Sequence, residues 1–532
     1  MCLTVVDSDI YFQPEEIPAS IPPWASPLRR YAYITMTSQI HLKDPALLIG
    51  SNYIDGKWVS SVSNDTFDVF DPATGLKIGS CAESTPVDAQ RAIDAAAAAF
   101  PSWRSRSGRE RSRILRRWYE LVLDNKDDLA TLITFENGKA KADATGEVVF
   151  AASFLEWFAE EAARIYGDVI PHSSSAYRVS IVKEPVGVCG LITPWNFPAG
   201  MVTRKVAPAL AAGCTVVIKS PGETPFSANA LAVLAERAGV PRGVINIVTT
   251  LANTPAIGEL LCTSKTIKKV SFTGSTRVGR LLMAQSSSTI KKLSLELGGN
   301  APFIVFDDAD LEVAIKEAII AKFKSSGQTC VCANRIFVHD AIHNVFVRRL
   351  TQAAQRFVLG SGHDPESTHG PLISPAAADR VAELVTDAVN KGAKVVLGGN
   401  RRQDLGPNFY EPTILTDVTD SMRITHEEIF GPIATIFSFT DESRVVDVAN
   451  NCDVGLASYV FTQDLNRATR LSEQIESGMV AINCGSVSDA PVPFGGIKQS
   501  GLGREGSKYG MEDYLQLKTI ITGNIQAPRS RI

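Results

Sequence analysis

Apolar and polar positions alternate over 52–78, where YIDGKWV and TFDVFDP read as short strands broken by a glycine turn and a proline-containing turn, a β-hairpin edge. The period then lengthens. Thr85, Pro86 and Asp88 supply a cap, a first-turn proline and an early acid for an alanine-rich helix to about Phe100, and helical spacing continues over 109–125 and 126–137. Helices at these positions are expected to cover a sheet. Beyond Pro185, strands at 186–192, 216–219, 244–248 and 270–272 alternate with helices over 199–212 and 225–238. A second series follows, with strands at 302–306, 335–338, 394–397, 434–439, 458–461 and 479–483 and helices over 311–324, 342–357, 375–391, 442–450 and 465–475. Alternation at this spacing predicts parallel, doubly wound sheets, and two series predict two α/β domains.

Composition agrees with that division and narrows the function. A chain of 532 residues with 45% hydrophobic content has material for more than one core. Its formal charge of -4, with no long basic run, makes nucleic acid or an anionic membrane surface a poor partner and favours a small molecule. No apolar run reaches the roughly 18 residues of a membrane span, so a soluble protein is expected. Nine scattered cysteines, of which only Cys330 and Cys332 lie close together, give neither a disulfide framework nor a metal knuckle, so no metal is expected and a reducing compartment is. Residues 1–48 hold five prolines before Leu28 and early acids at Asp7, Asp9, Glu15 and Glu16, and they read as a poorly ordered extension rather than a targeting peptide.

Two stretches carry candidate chemistry. In KKLSLELGGN, Glu296 is followed after one residue by two glycines, and about thirty residues later a small-residue loop ends at Cys330. A base, a thiol and a backbone without side chains are what a cysteine nucleophile needs to receive a substrate closely. Taken alone, a Glu or a Cys is more often structural, since free cysteine is among the most buried residue types. The second stretch is the turn Gly274-Ser275-Thr276 before a helix, with Lys219 at the end of an earlier strand. Glycine at a helix start lets backbone N–H groups approach a pyrophosphate, although a plain turn has the same sequence.

Six segments, TPWNFP (193–198), FTGST (272–276), LELGGN (295–300), GQTC (327–330), EEIFGP (427–432) and PFGGIKQSGLGRE (493–505), occur in the order found in the aldehyde dehydrogenase superfamily, which the chain resembles over about 50–522. The resemblance implies two doubly wound Rossmann-like domains plus a small β oligomerisation flap. Expected limits are 49–169 with 191–295 for the cofactor-binding domain, 296–485 for the catalytic domain, and 170–190 with 486–532 for the flap and C-terminal segment. It implies Cys330 as nucleophile, Glu296 as the base for water, and the side-chain amide of Asn196 with the Cys330 N–H as the oxyanion site. Glu505 is a second carboxylate, or else half of a surface ion pair. For the cofactor it implies Thr193, Pro194, Trp195, Gly274 and Ser275 near the pyrophosphate and ring, Lys219 at the adenosine ribose, and Glu428 and Phe430 on the nicotinamide ribose side. Met36 precedes a segment resembling the start of shorter family members, and translation from there is an alternative.

Within the superfamily, TRKV (203–206), GQTCVCANR (327–335) and KQSGLGREGSKYG (498–510) resemble the succinate-semialdehyde dehydrogenases. That resemblance implies a distal substrate carboxylate held by Arg204, by Lys324 where the subfamily has a second arginine, and by Ser488. Lysine keeps the charge and loses the bidentate fork. Asp489 is expected to point outward and Ser488 inward; the reverse would favour an amino-aldehyde. The Cys-x-Cys pattern offers Cys332 as a redox partner of Cys330, against a packed small hydrophobe. Where NAD-preferring relatives often have Glu three residues after the lysine, this chain has Gly222, with Glu223 one place on. NADP is therefore slightly favoured over NAD, with Ser220 a candidate donor to the phosphate. A homo-dimer or homo-tetramer in the cytoplasm is expected, with a mitochondrial location the alternative. Two other readings remain: a dehydrogenase of another semialdehyde or amino-aldehyde, and a catalytically silent binding or structural protein on the same fold.

Overall fold

The apolar runs TVVIK and VCGLI become the strands Thr215–Lys219 and Val188–Ile192, buried along their whole length as parallel strands covered on both faces must be. The computed structural model describes residues 40–525, all within one unit, Ile40–Ile532. The strand Val188–Ile192 sits inside an eight-stranded sheet ordered Lys57–Val59, Asn52–Ile54, Ile245–Val248, Thr215–Lys219, Val188–Ile192, Ile267–Thr273, Lys292–Glu296, Gly501–Leu502. Its five central strands are parallel, and antiparallel strands close both edges. The strand carrying Glu296 is therefore bordered by Gly501–Leu502, a segment from near the far end of the chain.

A seven-stranded sheet follows the order Lys394–Leu397, Thr413–Thr416, Ile433–Phe439, Ala333–His339, Ala301–Val305, Ala457–Phe461, Met479–Ile482, parallel except at its first strand. Helices pack on both sheets, among them Leu311–Phe323, which leads into the Cys330 loop. In a third sheet Arg178–Pro185 lies between Leu515–Thr522 and Asp168–Ile170, antiparallel to both. Its outward residues Val169, Leu517 and Ile521 are exposed. This is the expected α/β fold with a small β flap.

Several expectations need correction. The helix over 141–161 was not anticipated: Lys141–Glu161 buries Ala144, Val148, Phe154, Leu155 and Phe158 against several neighbours, so its apolar residues form no single stripe. The helix Thr254–Thr263 and the strand Thr413–Thr416 were likewise missed. The helix begun at Pro86 runs past Phe100, through Pro101, to Arg104. Of the expected loose extension, residues 1–39 lie outside the described residues, but 43–48 are tied down. The Asp128 carboxylate accepts from the N–H groups of Lys43 and Asp44, and Leu47 is fully buried.

Candidate active site

Glu296 ends its strand, and Gly298 and Gly299 then turn the chain beneath the Cys330 loop. A Cβ at Gly299 would lie 2.5 Å from the Cys330 carbonyl oxygen, and one at Gly298 2.7 Å from Glu428 Oε2. Those two close approaches require the paired glycines. The Cys330 loop is itself bent: Ser325, Ser326 and Gly327 have φ of 52°, 54° and 74°. It is held from outside, with the Ser325 N–H donating to Asp143 Oδ2 at 3.1 Å, Ser326 Oγ donating to the Gly370 carbonyl at 2.8 Å, and Tyr459 Oη donating to the Val331 carbonyl at 2.8 Å.

These elements enclose a cavity of about 440 Å³ with Cys330, Glu296 and Asn196 together on its wall. Asn196 Nδ2 donates one hydrogen to the Gln328 carbonyl at 2.9 Å, leaving its second N–H uncommitted. Both carboxyl oxygens of Glu296 are buried without a hydrogen bond. Burial raises its proton affinity, countered in part by Arg204, whose Nη2 lies 3.7 Å away. Burial also pushes the Cys330 thiol well above its ordinary value, and the negative charge of Glu296 adds to this.

Glu505 is no surface ion pair. It is buried, accepts from Arg204 Nε at 2.5 Å and from Lys205 Nζ, and although burial opposes its charge, Lys205 and Arg204 hold it down at about 2. Arg204 therefore reaches the cavity with a guanidinium already engaged at Nε, lying over the Phe494 ring at 4.1 Å, and with Nη2 buried, free of hydrogen bonds and 3.7 Å from the Glu296 carboxylate. Lys324 and Ser488 line the same cavity. Asp489 is exposed and accepts from the Ala490 N–H at 2.8 Å, so Ser488 faces in and Asp489 out. Cys332 is buried, its thiol directed at the Gly327 carbonyl at 3.3 Å, and both Cys330 and Cys332 are thiols.

The cofactor residues divide into two groups. Pro194, Trp195, Gly274, Ser275, Glu428 and Phe430 line the cavity; Thr193, Lys219 and Gly222 do not. Phe430, at φ 52°, meets Trp195 edge to face at 5.5 Å. Burial raises Glu428 to about 7, and its Oε1 accepts from the Gly299 N–H at 3.2 Å. Lys219, at the end of its strand, is lowered to about 8 by burial. Thr193 Oγ1, Ser220 Oγ and Thr273 Oγ1 are buried donors without partners, and Ser275 caps the helix Thr276–Ser286 through Val278 N. Unsatisfied hydroxyls, a buried lysine and a helix N-terminus fit a dinucleotide.

The aldehyde dehydrogenase family model matches residues 58–520. The chain belongs to the aldehyde dehydrogenase family. The enzyme is 52% identical over 484 residues to the NADP(+) succinate-semialdehyde dehydrogenase of Saccharomyces cerevisiae, covering 91% of this chain and 97% of the relative. It is 51% identical to a glutarate-semialdehyde dehydrogenase of Pseudomonas aeruginosa, covering 91% and 100%. A solved succinate-semialdehyde dehydrogenase from Burkholderia pseudomallei superposes with a TM-score of 0.89 at 51% identity, covering 91% of this chain and 99% of that one. The enzyme is thus an NAD(P)-using oxidoreductase related to semialdehyde dehydrogenases. Among the described residues no helix is long and apolar enough to cross a membrane, and no cluster of ligands could hold a metal.

Five further residues, to which no motif assigned a role, complete the site. Lys139, Glu147, Asp143, Lys205 and Tyr459 are buried or line the cavity. For Lys205 a signal existed: a charged pair in the otherwise apolar helix GMVTRKVAPALAA, of which every residue is buried.

Proposed function

We propose that the enzyme oxidises succinate semialdehyde to succinate with NADP or NAD through a thioester on Cys330. The observation that carries the substrate class is the presence of two cations, Lys324 and Arg204, the latter with Nη2 free of hydrogen bonds, on the wall that also holds Cys330. With Ser488 they offer a carboxylate charge-assisted hydrogen bonds at the far end of a substrate whose aldehyde meets the sulfur.

Burial raises the proton affinity of both Glu296 and Cys330, and the Glu296 carboxylate is the group placed to take the thiol proton, which it then passes to solvent. The sulfur then adds to the carbonyl carbon, and the free N–H of Asn196 with the Cys330 N–H receives the developing negative oxygen. When bound, the nicotinamide ring supplies the hydride acceptor. With that first proton passed on to solvent, Glu296 takes a proton from water as the water attacks the thioester, and collapse of the adduct releases the acid and the Cys330 thiolate. A retained base of this kind favours water over a thiol as acyl acceptor.

NADP is slightly favoured. Gly222 removes a carboxylate whose repulsion of a 2'-phosphate could reach about 4 kcal/mol at 4 Å and an effective dielectric of 20. Buried, unpartnered Ser220 Oγ and exposed Glu223 support this choice. The apolar outer residues of the three-stranded sheet support assembly as a homo-dimer or homo-tetramer, and a cytoplasmic setting accords with the free thiols.

The test is NADPH and NADH formation with succinate semialdehyde, glutarate semialdehyde and 4-aminobutanal. The highest kcat/KM is expected for succinate semialdehyde and none for Cys330→Ala. Preference for 4-aminobutanal would overturn the carboxylate reading, and unchanged turnover by Cys330→Ala would overturn the enzyme mechanism. Glutarate semialdehyde remains a second reading because Lys324 is shorter than the arginine it replaces.

A further inference from the structure

The segment Glu136-Asn137-Gly138-Lys139 holds the turn that presents Asn196, and it does so from behind the cavity. Gly138, at φ 84°, ends the helix Lys126–Asn137 and swings Lys139 inward. Asn137 Nδ2 donates to the Trp195 carbonyl at 3.0 Å. Lys139 Nζ donates to the Asn196 carbonyl at 2.6 Å and to Glu147 Oε2 at 2.5 Å. Its remaining direction is taken by the Phe197 ring, whose centroid lies 3.6 Å away. Glu147 Oε1 in turn accepts from the N–H groups of Ala199 and Gly200 at 2.9 and 3.3 Å. Carbonyls 195 and 196, ring 197 and amides 199 and 200 are therefore all gripped by one buried ion pair and its neighbour.

A fully buried lysine carboxylate pair is poor evidence of stability, because desolvation of both charges offsets their attraction. It is well suited to fixing a geometry. We propose that Lys139, with Glu147, is a positioning residue that orients the Asn196 amide toward the oxygen of the reacting aldehyde. The inference rests on the reading of Asn196 as an oxyanion donor. Asn196 has two constraints: its backbone carbonyl is pinned by Lys139, and one hydrogen of Nδ2 is committed to the Gln328 carbonyl in the loop of the nucleophile. With both in place the second Nδ2 hydrogen has one direction. Without Lys139 the peptide is free to rotate, and the amide follows the Cys330 loop alone.

The experiment is a double-mutant cycle on the full-length enzyme. Lys139→Met is expected to lower kcat about 100-fold, the scale of a misplaced or missing oxyanion donor, with little change in KM for aldehyde. The rate of Cys330 alkylation by iodoacetamide, which needs no oxyanion donor, stays at the parent value. In an Asn196→Ala background the same substitution has no further effect, because residues acting as one unit are non-additive. Lys139→Met/Glu147→Gln, which leaves no unpaired buried charge and keeps the amide acceptor for residues 199 and 200, is the variant to use should the single change fail to fold, and it should show the same loss. Unchanged kcat, or a full additional loss in the Asn196→Ala background, overturns the positioning role. Full turnover by Asn196→Ala alone overturns the oxyanion reading instead.

Discussion

Replacing Glu505 by glutamine removes the charge that Arg204 and Lys205 share, and the size of the effect can be worked from the carboxyl's position. The group stands at about 2 against an ordinary 4.5; at 1.36 kcal/mol per tenfold this is about 3 kcal/mol. The loss of one partner from a buried ion pair gives a similar figure, about 3–5 kcal/mol. A carboxyl lowered on folding stabilises above its unfolded value, so the contribution is complete above pH ~5 and disappears as pH falls from 4.5 toward 2. With an unfolding entropy near 2.1 cal/mol/K per residue, Glu505→Gln should lower Tm by about 3 °C at pH 7, and the difference from the parent should shrink toward acid pH. The acid limb of kcat against pH should also move down, because Glu505 raises the proton affinity of Glu296 while Arg204, once released, lowers it. Differential scanning fluorimetry across pH and steady-state rates across the same range measure both. A variant with the parent's Tm at pH 7 and the parent's acid limb would refute the coupling between the two carboxylates.

Glu296→Gln should slow the NAD(P)H burst and reduce steady-state turnover about 10²–10⁴-fold, since the thiol and the water both lose their base; parent-like steady-state turnover speaks against that role. Gly299→Ala places a methyl 2.5 Å from the Cys330 carbonyl, so the loop must shift and kcat should fall about 100-fold; stopped-flow acylation rates unchanged from the parent would show that the approach is not needed. Lys324→Met should raise KM for succinate semialdehyde about 10-fold or more, one charge-assisted hydrogen bond being worth about 1.5–3 kcal/mol, and leave KM for an uncharged aldehyde alone. Equal changes for both substrates would remove Lys324 from carboxylate recognition. Cofactor affinity should change around pH 7, since burial raises Glu428 to about 7. Its hydrogen-bond-accepting form is populated on the alkaline side, so fluorescence titration should find tighter NADPH binding at pH 8 than at pH 6; equal affinity at the two pH values excludes it from cofactor binding.

Local sequence determined the elements whose signals are contained within a few residues. Continuous β-branched runs gave the parallel strands, Thr85-Pro86-Val87-Asp88 fixed a helix start, and the paired glycines after Glu296 announced a close backbone approach that proved to be to Cys330 and Glu428. The helix Lys141–Glu161 escaped because a segment packed on several sides shows no apolar stripe. Burial decided what sequence left ambiguous in GRE: Glu505 looks the same on a surface as between Arg204 and Lys205, and only the folding of the 501–505 segment against the Glu296 strand removes it from water. The same holds for Lys139, whose role depends on a turn 57 residues away in sequence reaching its ammonium. Cys330, Glu296 and Asn196 were named by motif resemblance, and the fold brings them to one cavity wall; which charges meet in the interior was set by tertiary packing, since electrostatic partners there are chosen by distance in space.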